Sequence, residues 1–180
     1  MTQQEQEIHH RWLGESDRLI AEGDRHFDTQ AFLDAQPFYS EALALRQAAL
    51  GEQHESVAVA LNRLANVYYQ QKDDRAAGEL FERALAIREA VLSPDASDLR
   101  LSVNNLANAY RNQGRFAEAE PLYCRSLQMR EQETGYADHP AIWRNLVRVL
   151  EGQGKSVEAA EYVERIRVFE SARNAENQRE

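Results

Sequence analysis

The chain is short of the residues that cross-link or punctuate a fold. It has one cysteine, Cys124, so no internal disulfide can form, and nothing in its cysteine use points to an oxidising compartment. Four prolines and eight glycines in 180 residues are too few for a turn-rich sheet protein and favour helices. No run approaches the roughly 18 apolar residues of a membrane span. The start, MTQQEQEIHHRWLGESD, lacks a basic end followed by an apolar stretch, so no signal peptide is expected. Basic residues are outnumbered, 21 against 30, which leaves a formal net charge of −9 and argues against a general nucleic-acid binder. No Gly-rich phosphate loop and no carboxylate pair with a positioned partner is present. The expectation is a cytoplasmic protein that is not an enzyme, with no cofactor, no metal, no nucleic acid and no membrane partner.

What is present in quantity is apolar residues in a repeating order. Hydrophobic residues make up 43% and charged residues 28%, enough for a chain of this length to bury a core. The stretch from Leu61 to Leu92 recurs 42 positions on, which pairs Leu64 with Leu106, Ala65 with Ala107, Tyr68 with Tyr110, Ala77 with Ala119, Phe81 with Tyr123 and Leu85 with Leu127. A weaker copy lies upstream, where Gln30-Ala31-Phe32 and Gln36-Pro37-Phe38-Tyr39 align with Gly114-Arg115-Phe116 and Glu120-Pro121-Leu122-Tyr123. Proline suits the first turn of a helix, so helices are expected to begin near Leu33 and Ala117. The links carry Gly51, Pro94, Gly135 and Pro140. The units then run over about 16–50, 58–92, 100–134 and 140–170. Residues 1–15 form a polar extension leading into the first helix, and 171–180 form a polar tail. In the last unit Trp143, Leu146, Val147 and Leu150 make one apolar stripe. Val157, Ala160, Val163, Ile166 and Phe169 are expected to face inward from the other helix.

Within each unit the pattern resembles the tetratricopeptide signature, W-x2-L-G-x2-Y followed by A-x3-F. Leu61-x2-Leu64-Ala65-x2-Tyr68 and Val103-x2-Leu106-Ala107-x2-Tyr110 carry the first half, and Trp143 keeps the tryptophan. Ala35-x3-Tyr39, Ala77-x3-Phe81 and Ala119-x3-Tyr123 carry the second. The period of 42 exceeds the family's usual 34 and is similar to that of the kinesin light chain class. The resemblance implies an all-α fold: a right-handed α-solenoid of about four helix-turn-helix units, with a concave groove lined by the first helices. It also implies a protein–protein adaptor without catalytic residues.

A ligand in such a groove would meet the positions beside each packing stripe. These are Asn62, Asn66 and Tyr69 in the second unit and Asn104, Asn108 and Arg111 in the third. In the fourth they are Arg144, Arg148 and Glu151. Spacings of four keep each pair on one helix face. Asparagine both donates and accepts, which suits an extended peptide backbone; the arginine fork suits a carboxylate. The expected ligand is a peptide or protein held by its main chain, with an acidic group or free C-terminus near Arg144 and Arg148. The first unit breaks the pattern with Ile20, Asp24 and Phe27, of which Ile20 and Phe27 either form an apolar pocket for a ligand side chain or pack against an N-terminal helix.

Other single residues read plainly. Cys124 is expected to be a buried or half-buried thiol, and His26 to pack in the core in place of the signature tyrosine. His9 and His10 are expected on the surface, and His54 and His139 in links. Arg83, Arg88, Arg125 and Arg130 on the second helices are expected on a solvated convex face with intrahelical ion pairs. Self-association, as a homo-oligomer, is the competing role: the last helix carries Val163, Ile166 and Phe169, and Gln178 and its neighbours are the residues available to cover them.

Overall fold

The computed structural model describes residues 2–134 and 139–177, and these form eight α-helices with no strand among them. Two compact units result. Met1–Pro94 holds α1 (Gln3–Asp28), α2 (Phe32–Leu50), α3 (Glu55–Gln70) and α4 (Asp74–Val91). Asp95–Glu180 holds α5 (Ser97–Asn112), α6 (Phe116–Thr134), α7 (Pro140–Gly152) and α8 (Ser156–Asn177). Each unit is two helical hairpins, and within it each helix packs on the next. The first helix begins at Gln3, far ahead of Trp12, and the last continues through Ser171 to Asn177.

All four hairpins turn the same way. The middle residue of a three-residue turn takes a left-handed conformation: Gln30 at φ 63°, Lys72 at 66°, Gly114 at 73° and Gly154 at 75°. The next amide donates to the carbonyl five residues back, at 2.9 Å in every case: Ala31 to His26, Asp73 to Tyr68, Arg115 to Tyr110 and Lys155 to Leu150. This is the Schellman closure, which satisfies carbonyls that a helix end would leave open.

The seams follow from the repeat. Tyr39, Phe81 and Tyr123 are fully buried, at the same repeat position, beneath Gly23, Ala65 and Ala107. Burying each such ring contributes about 1.5–3 kcal/mol. A Cβ on Gly23 would lie 2.6 Å from the Tyr39 ring, so glycine is what admits the ring there. Ala35, Leu61, Leu64, Val67 and Ile87 complete the first unit's core; Ala119, Ile142, Trp143, Leu146 and Val149 complete the second's.

Three sequence expectations are corrected. Arg88 is not solvated: its side chain is 8% exposed and pairs across the hairpin with Glu55 at 3.0 Å. Arg46, at the same repeat position, is also buried. It donates to Ser16 Oγ (2.8 Å), Asp17 (2.7 Å) and the Ser56 carbonyl (2.9 Å), joining α1, α2 and α3. Pro37 and Pro121 stand sixth in α2 and α6, in the second turn rather than the first. There they cannot donate to the carbonyls of Leu33 and Ala117. Finally, α8 turns Ala159 and Tyr162 inward beside the expected Ile166 and Phe169, while Val157, Ala160 and Val163 stay exposed. Trp143 on α7 takes the Phe169 ring edge-on, which fixes that rotation. Gln178 lies outside the described residues.

Candidate peptide-binding surface

The site is read from the first helix of each hairpin. In α3, Asn62 is buried, and its amide donates to the Ala58 carbonyl at 3.2 Å. That bond spends a donor inside the helix. Asn66 is half-buried. By repeat register its tyrosine counterpart is Phe81, which has no hydroxyl to offer. Tyr69 is half-buried, with the Lys72 ammonium 6.0 Å from its ring centre.

In α5, Asn104 is half-buried and its Oδ1 accepts no hydrogen bond. Asn108 is a junction. Its Oδ1 accepts from the Tyr123 hydroxyl (2.7 Å), Asn145 (3.2 Å) and Arg111 (3.3 Å). Arg111 also donates to Asn145 on α7 and to Asn112. Asn108 therefore holds two hairpins together as well as lying on the predicted face. The same position in α1 is Asp24, which accepts from the Tyr39 hydroxyl at 2.6 Å and pairs with Arg63 at 3.3 Å. Burial first, then the Asp24 hydrogen bond, raises the Tyr39 phenol well above its ordinary pKa.

The two arginines of α7 go separate ways. Arg144 is exposed and bound to Glu170 of α8 at 2.5 Å. Arg148 is exposed and makes no ion pair among the described residues. With Arg111, Asn112 and Phe116 it lines an open cleft of about 310 Å³. Of the eight predicted residues, Arg111 and Arg148 are thus brought to one cleft; Arg144 is not among its lining residues. Phe116 and Asn145 were not singled out as site residues. Phe116 left a signal, its alignment with Phe32; Asn145 left none, because only the approach of α7 to α5 shows that it bonds Asn108 and Arg111.

The remaining polar groups do structural work. His54 accepts from the Ser56 amide (3.1 Å) and Asp73 from the Ala76 amide (3.0 Å), capping α3 and α4. His26 stacks on Phe38 at 5.2 Å. Glu120 accepts from Lys155 (2.6 Å) and Gln153 (2.7 Å), and the Lys155 bond holds its carboxyl below the usual glutamate range. Burial pushes the half-buried Cys124 thiol up, away from the thiolate a nucleophile needs. Burial likewise lowers His139. Among the described residues no helix is long and apolar enough to cross a membrane.

Two models of one family, described as tetratricopeptide repeat, match residues 23–90 and 101–141, together more than half of the chain. No curated protein matches at a significant level. Among solved structures, BtubC (BKLC) from P. vanneervenii is similar with a TM-score of 0.78 and 21% identity, over 88% of this chain and 64% of that one. The chain thus spans just under two thirds of BtubC. A putative kinesin light chain with nearly identical TPR-like repeats from Podosopora anserina has a TM-score of 0.74 at 22% identity, over 87% of this chain and 75% of that one. The Sgt2 TPR domain from Aspergillus fumigatus has a TM-score of 0.59 at 18% identity, over 81% and 83%. These likenesses concern the fold, an all-α helical-repeat solenoid. Tetratricopeptide repeats generally mediate protein–protein interactions, and proteins of this fold are typically scaffolds rather than enzymes. Matched models, solved structures and the recurring Leu–Ala–Tyr stripe agree: this chain belongs to the tetratricopeptide repeat family.

Proposed function

We propose that this chain is an adaptor that binds a partner protein through an extended, acidic segment or free C-terminus. The carboxylate end is received by Arg111 and Arg148 over the Phe116 ring. Asn104 and Asn108 of the second unit are the other contacts of this reading, and Arg144 contributes charge rather than contact. The observation that carries the reading is Arg148: an exposed guanidinium with no ion pair among the described residues, sharing a cleft with a second arginine and an aromatic ring. A fork of donors in such a cleft suits a carboxylate bidentately.

The test is fluorescence anisotropy with a labelled peptide ending in aspartate-glutamate and a free carboxylate, against its C-terminally amidated twin. Arg148→Glu is expected to weaken binding of the free acid about tenfold or more, in line with loss of a charge-assisted contact. Arg144→Glu is expected to change it little at moderate salt. Equal binding of the free acid by Arg148→Glu and the parent protein ends this reading.

A second reading, self-association, is favoured by the exposed Val157, Val163 and Val168 on α8, at 78%, 49% and 56%. A light-scattering series across protein concentration separates it: a stable dimer that Val163→Lys dissolves supports it, and a monomer throughout removes it.

A further inference from the structure

The corner of the first unit that corresponds to the arginine cleft has the opposite chemistry. Two open clefts adjoin there, of about 420 and 340 Å³, and Gln30 and Phe32 line both. The first also has Phe27 and Asp28 on its wall, and the second Leu33 and Asp34. We infer that this corner is a separate recognition site, taking a large apolar side chain flanked by lysine or arginine on a partner peptide.

Three observations carry this. The floor is apolar: the Phe27 and Phe32 rings meet edge-on at 5.2 Å, and both are only partly buried against the core. Leu33 is 76% exposed and lines the second cleft with Phe32, so the apolar lining continues out to solvent. The rim is acidic: the Asp28 and Asp34 carboxylates make no hydrogen bond or ion pair among the described residues. Lys72, the residue after the cleft-lining Gln71, faces the Tyr69 ring. A cationic residue on the ligand is the complement of such a rim, and it would exclude the acidic segment that suits the other unit. Of the two roles open to Ile20 and Phe27, both residues pack on the core, and Phe27 also walls the cleft.

The test is an amide-resolved NMR titration of the full chain with three capped pentapeptides. The first has phenylalanine between two lysines, the second phenylalanine between two glutamates, the third alanine between two lysines. The first should shift the Gln30, Phe32, Leu33 and Gln70 amides saturably. Replacing its phenylalanine by alanine should weaken binding roughly tenfold or more, as loss of a buried aromatic requires. Leu33→Ser, whose side chain lies outside the core, and the pair Asp28→Asn with Asp34→Asn should each weaken it by about threefold or more at low salt, with helical circular dichroism unchanged. No saturable shift at these amides, or equal binding of the glutamate peptide, overturns the inference. Neither result bears on Arg148, since the arginine cleft is read out with acidic probes.

Discussion

The two units share a backbone and differ in what they hang on it. At the left-handed turns the first unit has Gln30 and Lys72 where the second has Gly114 and Gly154. Beside those turns, Gln36 donates to the Tyr68 hydroxyl and accepts from Gln71 in the first unit. The corresponding knot in the second is ionic, Glu120 with Lys155 and Gln153. Asp24 with Arg63 in one is Asn108 with Asn145 in the other. The corner clefts follow suit, acidic with aromatic in one and basic in the other. Steric rules at a few positions, small residue under aromatic and left-handed turn, are enough to set the hairpin, which leaves the neighbouring positions open to carry charge of either sign.

The largest effect that would sharpen this comparison is expected at the arginines of the second helices. Arg88→Ala leaves the Glu55 carboxylate half-covered without its partner and should cost about 2–3 kcal/mol by urea denaturation. Arg130→Ala, at the same position in the second unit, should cost less than about 1 kcal/mol, because Arg130 and Glu133 are 33% and 40% exposed. Equal losses would erase that difference. Next come the buried rings: Tyr123→Phe removes the hydroxyl from Asn108 and should cost about 1 kcal/mol, a bond that the equivalent Phe81 already does without. The turns should respond with opposite signs. Gly114→Ala should destabilise by about 1 kcal/mol, and Gln30→Gly should be neutral or stabilising by a similar amount. Thermal melts of the two variants decide this.

The smallest effect is in acid. The Glu120 carboxyl is held low by Lys155, so its contribution is complete above the ordinary glutamate value of about 4.5 and is lost as pH falls through the lower folded value. Glu120→Gln, which copies Gln36 of the first unit, should cost under about 1 kcal/mol at neutral pH. It should also flatten the acid dependence of melting below about pH 4.5. An unchanged acid limb would assign that dependence to other carboxylates.

The repeat was legible in advance because its seams rest on local spacing: Leu64, Ala65 and Tyr68, then Ala77 and Phe81, are read from one hairpin alone. What escaped depends on which residues the facing helix brings up. Whether Arg88 is wet or buried depends on the start of α3, which no pattern within α4 reveals. The rotation of α8 was misread because Trp143 takes Phe169, which pulls the valines outward. At the site, spacing could put Arg111, Arg144 and Arg148 only on a helix face; the shared cleft of Arg111 and Arg148 and the pairing of Arg144 with Glu170 come from the contacts of α7 with α5 and α8. Asn108 looked like a free ladder rung because its hydroxyl donor lies 15 residues on, across the turn.

Arg46 grips three successive helices at once, through Ser16, Asp17 and the Ser56 carbonyl. The opening hairpin therefore cannot peel away from α3 without stranding a guanidinium that is otherwise shut off from water. Amide exchange near Ser16 should accordingly keep pace with exchange at the start of α3, as if a long terminal helix and its second neighbour were one cooperative block.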